Sequence, residues 1–468
     1  MKSKPFFLLA TLFGLIACNI QPTTKVADQT PEFDLLATTP PMGWNSWDCL
    51  GVDASKEQVR AVVDYMATNL KQYGWEYIII DMGWFHPKEL ITANARDRNP
   101  QQNLDSFGRL IPDTVKYPSA KGGAGFKILA NYIHSKGLKF GFHVMRGIPW
   151  NALTNNTPIE GTTHFASEIA DLADTCEWSH VMKGVNMTKP GAQEYYNSVY
   201  QLYASWGVDF VKVDDISRPN HRAEIEGVHK AIQLSGAPIV LSLSPGEAPI
   251  TEWDHLAKNA HMWRISGDFW DQWKWLKKQF ELCHRWDSTH TPGHWPDADM
   301  LPIGKLRITG GDDWIASQLG ATREEVSNEY SRFTDPEKYT LMTLWCMFRS
   351  PLMLGGYLPE NDSVTTQLIT NSEVLAINQH SKNNRELKNE DGLVIWVADQ
   401  PGTGAKYVAL FNTNDGPPKP VSVSWARLGL TGSLPVRDLW GKKNLGKMEG
   451  TFSATIEAHG CRLIKVEG

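Results

Sequence analysis

Between residues 55 and 265 the chain alternates two hydrophobic rhythms. Val59, Val62, Val63, Met66 and Leu70 recur at three- and four-residue steps, marking one face of a helix that a Ser55/Gln58 capping box opens. Residues 75–80, apolar but for Glu76, then read as a buried strand delivered to Asp81. The unit returns as a helix over 126–136, stopped by Gly137, with a strand over 138–144, and again as a helix over 192–206 with a strand over 208–213 that ends at Asp214. Residues 238–243 and 262–265 continue the series. Such repetition predicts a parallel sheet covered by helices. Polar residues recur at or just past many strand ends (Asp81, His143, Asp214, Ser244, Asp268), and no GxGxxG follows the first strand. Both facts favour an α/β (β/α)8 TIM barrel over an open dinucleotide-binding sheet. Residues 146–189, poor in helix signals, are expected to form a long loop over the barrel mouth.

Past Gln379 the helical period disappears. Segments 393–397, 407–411, 421–425, 436–440, 452–456 and 462–466 read as short strands with Gly, Asn and Pro between them, predicting a separate antiparallel β-sandwich. The expected boundaries are 1–18 for a signal peptide, 19–38 for a linker, 39–382 for the barrel and 383–468 for the sandwich. In the first segment a basic start (Met1-Lys-Ser-Lys4) precedes an apolar run too short to span a bilayer, then Leu15-Ile-Ala-Cys18. That tetrapeptide resembles a bacterial lipobox and makes Cys18 the expected lipidation site of an exported lipoprotein, periplasmic or outer-membrane associated. Cleavage near Ala17 by an ordinary signal peptidase is the competing reading.

Composition narrows the chemistry. A net charge of -6 argues against nucleic acid as partner, and 19 Trp offer the flat apolar faces on which sugars pack, although most of them are expected to fill core. The remaining cysteines, Cys49, Cys176, Cys283, Cys346 and Cys461, show no CxxC spacing, so neither a disulfide framework nor a zinc site is expected.

Two acids stand out. Asp214 ends the strand Phe210-Val-Lys-Val-Asp, and either it or Asp215 could open the next helix as a cap. Asp268 follows the strand carrying Arg264, which could simply pair with it, and Asp271 reads as a cap for the helix after that. Two carboxylates from different strand ends of one barrel suit glycoside hydrolysis. Lys212 shares a strand face with Asp214 and is expected to keep it ionised, whereas Asp268 is expected to start protonated in a dry site.

Pro41-Met-Gly-Trp-Asn-Ser-Trp47, the strand ending at Asp81, the Lys212-Val-Asp214 strand end, Arg264 to Asp268, and Gly293-His-Trp-Pro-Asp-Ala-Asp-Met300 together resemble the α-galactosidase (melibiase) family, glycoside hydrolase family 27 of clan D. The resemblance runs from about Pro40 to the C-terminus. It implies a barrel with a C-terminal sandwich, a retaining double displacement with Asp214 as nucleophile and Asp268 as acid/base, and no cofactor or metal. It further implies that Trp47, Asp81, Lys212, Arg264, Asp299 and Met300 contact the sugar. Three positions depart from the galactosidase pattern: Met82 replaces a second acid, His143 a tyrosine, and Ser244 a residue that reads the sugar 2-position. The expected activity is hydrolysis of terminal α-D-galactosides of an oligosaccharide or polysaccharide. Alternatives on the same scaffold are an α-N-acetylgalactosaminidase, a β-L-arabinopyranosidase and an isomaltose-type α-glucan hydrolase. From other classes come a non-catalytic sugar-binding lipoprotein and a metal-dependent barrel enzyme built on His294, Asp297 and Asp299.

Overall fold

The computed structural model describes Met1 and residues 33–88, 101–309, 316–318 and 320–468. Cys18 and its tetrapeptide lie outside the described residues. Eight parallel strands follow one another in space in chain order: Met42–Asn45, Tyr77–Ile80, Lys139–Met145, Phe210–Asp214, Val240–Leu243, Met262–Arg264, Trp295–Asp297 and Leu352–Leu354. The eighth pairs with the first, and a parallel bridge from Leu301 to Leu354 draws the seventh segment to the eighth, curling the sheet into a barrel.

Side chains two residues apart on a strand share a face. Tyr77 and Ile79 on the second strand, Phe210 on the fourth, Val240 on the fifth, Met262 on the sixth, Trp295 on the seventh and Met353 on the eighth form an apolar plug. Two steps along the same faces, the chain offers Asp81, Lys212 with Asp214, and Arg264. The plug is crowded at Gly43 and Gly141, where a Cβ would lie 2.6 Å from the Cβ atoms of Tyr77 and Phe210, respectively. Those glycines let two rings pack at 5.5 Å across the barrel floor.

Three helices lie where the periodicity puts them: Lys56–Tyr65 with the Ser55/Gln58 capping box in place, Lys127–Ser135 and Ala192–Ser205; Arg222–Ser235 follows the fourth strand. Neither expected acidic cap holds. Arg222–Ser235 begins seven residues beyond Asp215, with His221 at its N-cap, while Asp215 has φ +58° and is ion-paired with Arg146 at 2.9 Å. Gln272, not Asp271, precedes the helix Trp273–Trp286, and Asp271 is buried, accepting from both terminal nitrogens of Arg307 at 3.2 and 3.1 Å. A fully buried acid facing a guanidinium forms an ion pair rather than an end cap. Residues 146–189 are also more than a loop. They hold a three-stranded antiparallel sheet of Ile148–Pro149, Met182–Val185 and Ala170–Thr175.

Ser372–His380 is the last helix before the C-terminal sheets. A six-stranded antiparallel sheet runs in the order Lys382–Glu390, Leu393–Asp399, Lys406–Asn412, Cys461–Val466, Ser433–Asp438, Lys443–Glu449, and Lys419–Ser424 pairs with Thr451–Ile456 in a second sheet. Val397, Val408, Leu410 and Ile464 join the core between the sheets, whereas Trp396, Ala409, Phe411 and Leu463 join the barrel's own core. Covered on both faces, the central strands are apolar throughout rather than alternating. The helix Asp335–Phe348, buried almost along its whole length, packs there and donates from Thr340 Oγ1 to His459 O at 2.6 Å. The five described cysteines are free thiols.

Candidate active site

The inward faces of the strands and the loops beyond them enclose a cavity of about 1030 Å³ at the C-terminal end of the barrel. Trp47, Asp81, Met82, His143, Lys212, Asp214, Arg264, Asp268, Asp299 and Met300 all line it, so the structure gathers ten of the sugar-site residues expected from the sequence. Ser244 is the exception. Its hydroxyl is buried without a hydrogen-bond partner, and Pro245 and Glu247 form the cavity wall from that loop.

Adjacent strands set His143 beside Lys212 and Met145 beside Asp214 in register. His143 Nε2 lies 3.1 Å from Asp214 Oδ2, and the Asp215 N–H donates to Asp214 Oδ1 at 2.9 Å. An ionised carboxylate can only accept, so Nε2 carries the proton of this bond. The Trp84 indole fixes the His143 backbone by donating to its carbonyl at 2.7 Å. Burial pushes the Asp214 carboxyl up, but the His143 hydrogen bond, the fields of His143 and Lys212, and the Asp215 N–H reverse this and leave it well below the usual carboxylate range. His143, taken from the sequence as a sugar contact, is thus also the hydrogen-bond partner of Asp214.

Lys212 helps keep Asp214 ionised, as expected, while its own ion pair is with a different acid. Its ammonium pairs with Asp81 Oδ2 at 2.9 Å, an oxygen that also accepts from Asn45 Nδ2 at 2.7 Å, and it reaches Asp214 through its field. Burial raises the Asp81 carboxyl, yet Lys212, His143 and the Met82 N–H outweigh it and hold the group down at about 2. Asp81, Lys212 and Asp214 therefore form a charged row on one side of the cavity, with the thioether of Met82 beside it.

On the other side Arg264, buried at 3 % exposure, holds Asp299 at 2.7 Å and Asp268 at 3.6 Å, and donates to the carbonyls of Ser266 and Gly267. Asp299 also accepts from the Phe269 N–H at 2.8 Å, so it braces the loop that carries Asp268. The loose Arg264 contact leaves the Asp268 side chain 48 % exposed. The dry setting expected for Asp268 is thus not what the structure shows. His294, Asp297 and Asp299 do not converge as metal ligands. His294 Nδ1 turns to Ala260 O at 2.8 Å, and Asp299 is engaged by Arg264.

The rim was not foreseen. Glu177, Trp178 and His180 reach it from the small sheet of residues 146–189, Arg218 from the turn after the fourth strand, and Trp270 and Trp275 from beyond the sixth. Only the length of the 146–189 segment and its Trp178 hinted at them. Asp48, next to Trp47, also lines the cavity.

Comparison with known proteins agrees with this geometry. Residues 39–152 and 162–320 match the family described as alpha galactosidase A, and residues 390–466 match the alpha galactosidase C-terminal beta sandwich domain. The crystal structure of a family 27 β-L-arabinopyranosidase from Geobacillus stearothermophilus is 44% identical, with a TM-score of 0.87 over 93% of this chain and 98% of that one. A variant of the same enzyme in complex with arabinose is 43% identical, with a TM-score of 0.87 over 93% and 99%. The alpha-galactosidase of Cyamopsis tetragonoloba is 28% identical over 436 residues, 92% of this chain and 86% of the relative. A barrel whose strand ends carry this set of acids and bases, extended by a matching sandwich domain, places the chain in the alpha galactosidase (melibiase) family, glycoside hydrolase family 27, as a glycoside hydrolase with a carbohydrate substrate.

Proposed function

We propose that the protein is a retaining exo-glycosidase that removes terminal pyranosides of galactose ring configuration, α-D-galactosides or their hydroxymethyl-free counterparts, β-L-arabinopyranosides. The observation that carries the reading is the pairing of a partly buried acid held ionised by His143 with a half-exposed acid at the same cavity. In the first displacement the Asp214 carboxylate attacks the anomeric carbon. The bond to the leaving oxygen breaks as Asp268 protonates that oxygen, giving a covalent glycosyl ester. In the second, Asp268 takes a proton from water, whose oxygen attacks the same carbon and expels Asp214, so the anomeric configuration is retained. No cofactor enters either step.

Met82 favours the arabinopyranoside of the two sugars. A hydroxymethyl group needs a hydrogen-bonding partner, and a buried thioether beside Asp81 is a poor one, whereas a ring without that arm places hydrogen there. The likeness to the Geobacillus enzyme supports the same choice. Assays on the two 4-nitrophenyl glycosides should give the higher kcat/KM for β-L-arabinopyranoside. Met82→Asp should move the ratio toward α-D-galactoside by about tenfold or more, as a gained hydroxyl partner does. An unmoved ratio would take sugar selection away from this position.

We also infer export as a lipoprotein anchored through Cys18, from the basic start, short apolar run and Leu15-Ile-Ala-Cys18. Cys18→Ala should shift the protein from the membrane to the soluble fraction on cell fractionation; continued attachment would refute the anchor.

A further inference from the structure

The residue after Trp47 is an acid that the sugar contacts named so far do not include. Asp48 lines the cavity, is 3 % exposed, and its Oδ2 has no hydrogen-bond partner. A buried carboxyl oxygen left unpaired is costly and calls for an explanation at its own site. Its placement is fixed from two sides. The Arg307 N–H donates to the Asp48 carbonyl at 2.8 Å, and Gly355, just past the eighth strand, packs so closely that a Cβ there would collide with Oδ2. The chain makes room for this carboxyl where a larger residue would displace it.

Barrel order says what the group faces. Asp214 and Asp268 follow the fourth and sixth strands, so the anomeric carbon lies on that side of the cavity. The first and second strands lie across the barrel from it, and Asp48 and Asp81 therefore look at the ring edge remote from the anomeric carbon, which bears the C3 and C4 hydroxyls. Met82 is on the same side and offers no oxygen.

We propose that Asp48 is a sugar-hydroxyl ligand, binding at the C3–C4 edge of the pyranose from the loop that follows the first strand. The assignment rests on the glycosidase reading above. Burial, then the field of Asp299, raises the Asp48 carboxyl well above the usual range against Lys212 and Arg307, a direction that favours the form able to donate as well as accept. Asparagine offers the same donor–acceptor pair in the same shape.

The test compares kcat and KM of wild type, Asp48→Asn, Asp48→Ala and the shape-keeping Asp48→Leu on 4-nitrophenyl β-L-arabinopyranoside, its 3-deoxy and 4-deoxy forms, and 4-nitrophenyl α-D-galactopyranoside. Loss of a hydroxyl partner should lower kcat/KM by about 30-fold in the Ala and Leu variants, mainly through KM, and by no more than about fivefold in Asn. On the deoxy sugar lacking the partnered hydroxyl the penalty should fall below about threefold. Unchanged kcat/KM in Ala or Leu, or an equal penalty on both deoxy sugars, overturns the proposal by leaving Asp48 a structural acid. A wild type inactive on both parent glycosides removes the glycosidase reading and this proposal together, whereas an active wild type indifferent to Asp48 removes this proposal alone.

Discussion

Asp214→Ala should lower kcat on an activated aryl glycoside on the order of 10⁵-fold, about 7 kcal/mol of barrier, while the melting temperature stays near that of the wild type. The size follows from the role: with no carboxylate at the anomeric carbon, no glycosyl ester forms and the two-step route is closed. The fold should survive because Asp214 sits at the end of its strand, above the Tyr77–Phe210 floor, and its backbone carbonyl still accepts from the Arg146 N–H at 2.9 Å. Adding azide to the variant gives the sharper result. The small anion can enter where the carboxylate stood and attack the face opposite the leaving group, so the product should be a glycosyl azide of inverted configuration. An azide product of retained configuration, or a variant turning over at near-normal rate, would take Asp214 out of the nucleophile's role. In the wild type, Asp214 is held so far below the usual carboxylate range that the acid limb of the pH–rate profile should not report its protonation.

The parts of this architecture that were legible in the sequence are those where burial imposed a period. Tyr77, Ile79 and Asp81, or Phe210, Lys212 and Asp214, each sit on one strand face, so an apolar floor ending in charge was visible as a two-residue step. The strands Lys382–Glu390 and Lys443–Glu449 were missed for the opposite reason. They are the two edges of the six-stranded sheet, where charged residues protect the unpaired backbone and erase the hydrophobic signal. In the site, strand-end residues could be named, but what each one touches depends on neighbours far along the chain. Lys212 faced Asp214 in sequence and pairs with Asp81 in space. Asp215 and Asp271 read as caps, yet each answers an arginine from another segment, Arg146 and Arg307. Nothing in its local sequence marks Asp48; its place at the cavity and its close packing on Gly355 show only in the fold.

Asp268, the proposed acid/base, should carry a second large effect, one that depends on the leaving group. Asp268→Ala ought to slow hydrolysis of an unactivated alkyl glycoside by about 10³-fold or more, within the usual reach of general acid catalysis, because the departing alkoxide then leaves without a proton. A 2,4-dinitrophenyl glycoside needs no such help: its first step should run at close to the wild-type rate, and the slow second step, which has lost its base, should let glycosyl-enzyme accumulate and appear as a burst. Azide, needing no deprotonation, should speed that second step and give a glycosyl azide of retained configuration, the reverse of the Asp214→Ala product. The open position of Asp268, 48 % exposed and held by Arg264 only at 3.6 Å, suits both duties, since the side chain must meet the leaving oxygen first and the incoming water afterwards. Equal losses on alkyl and dinitrophenyl substrates would mean that Asp268 positions the sugar rather than moves a proton. The role would then pass to another acid at the cavity, of which Glu177 and Glu247 are the exposed and half-exposed candidates on the wall.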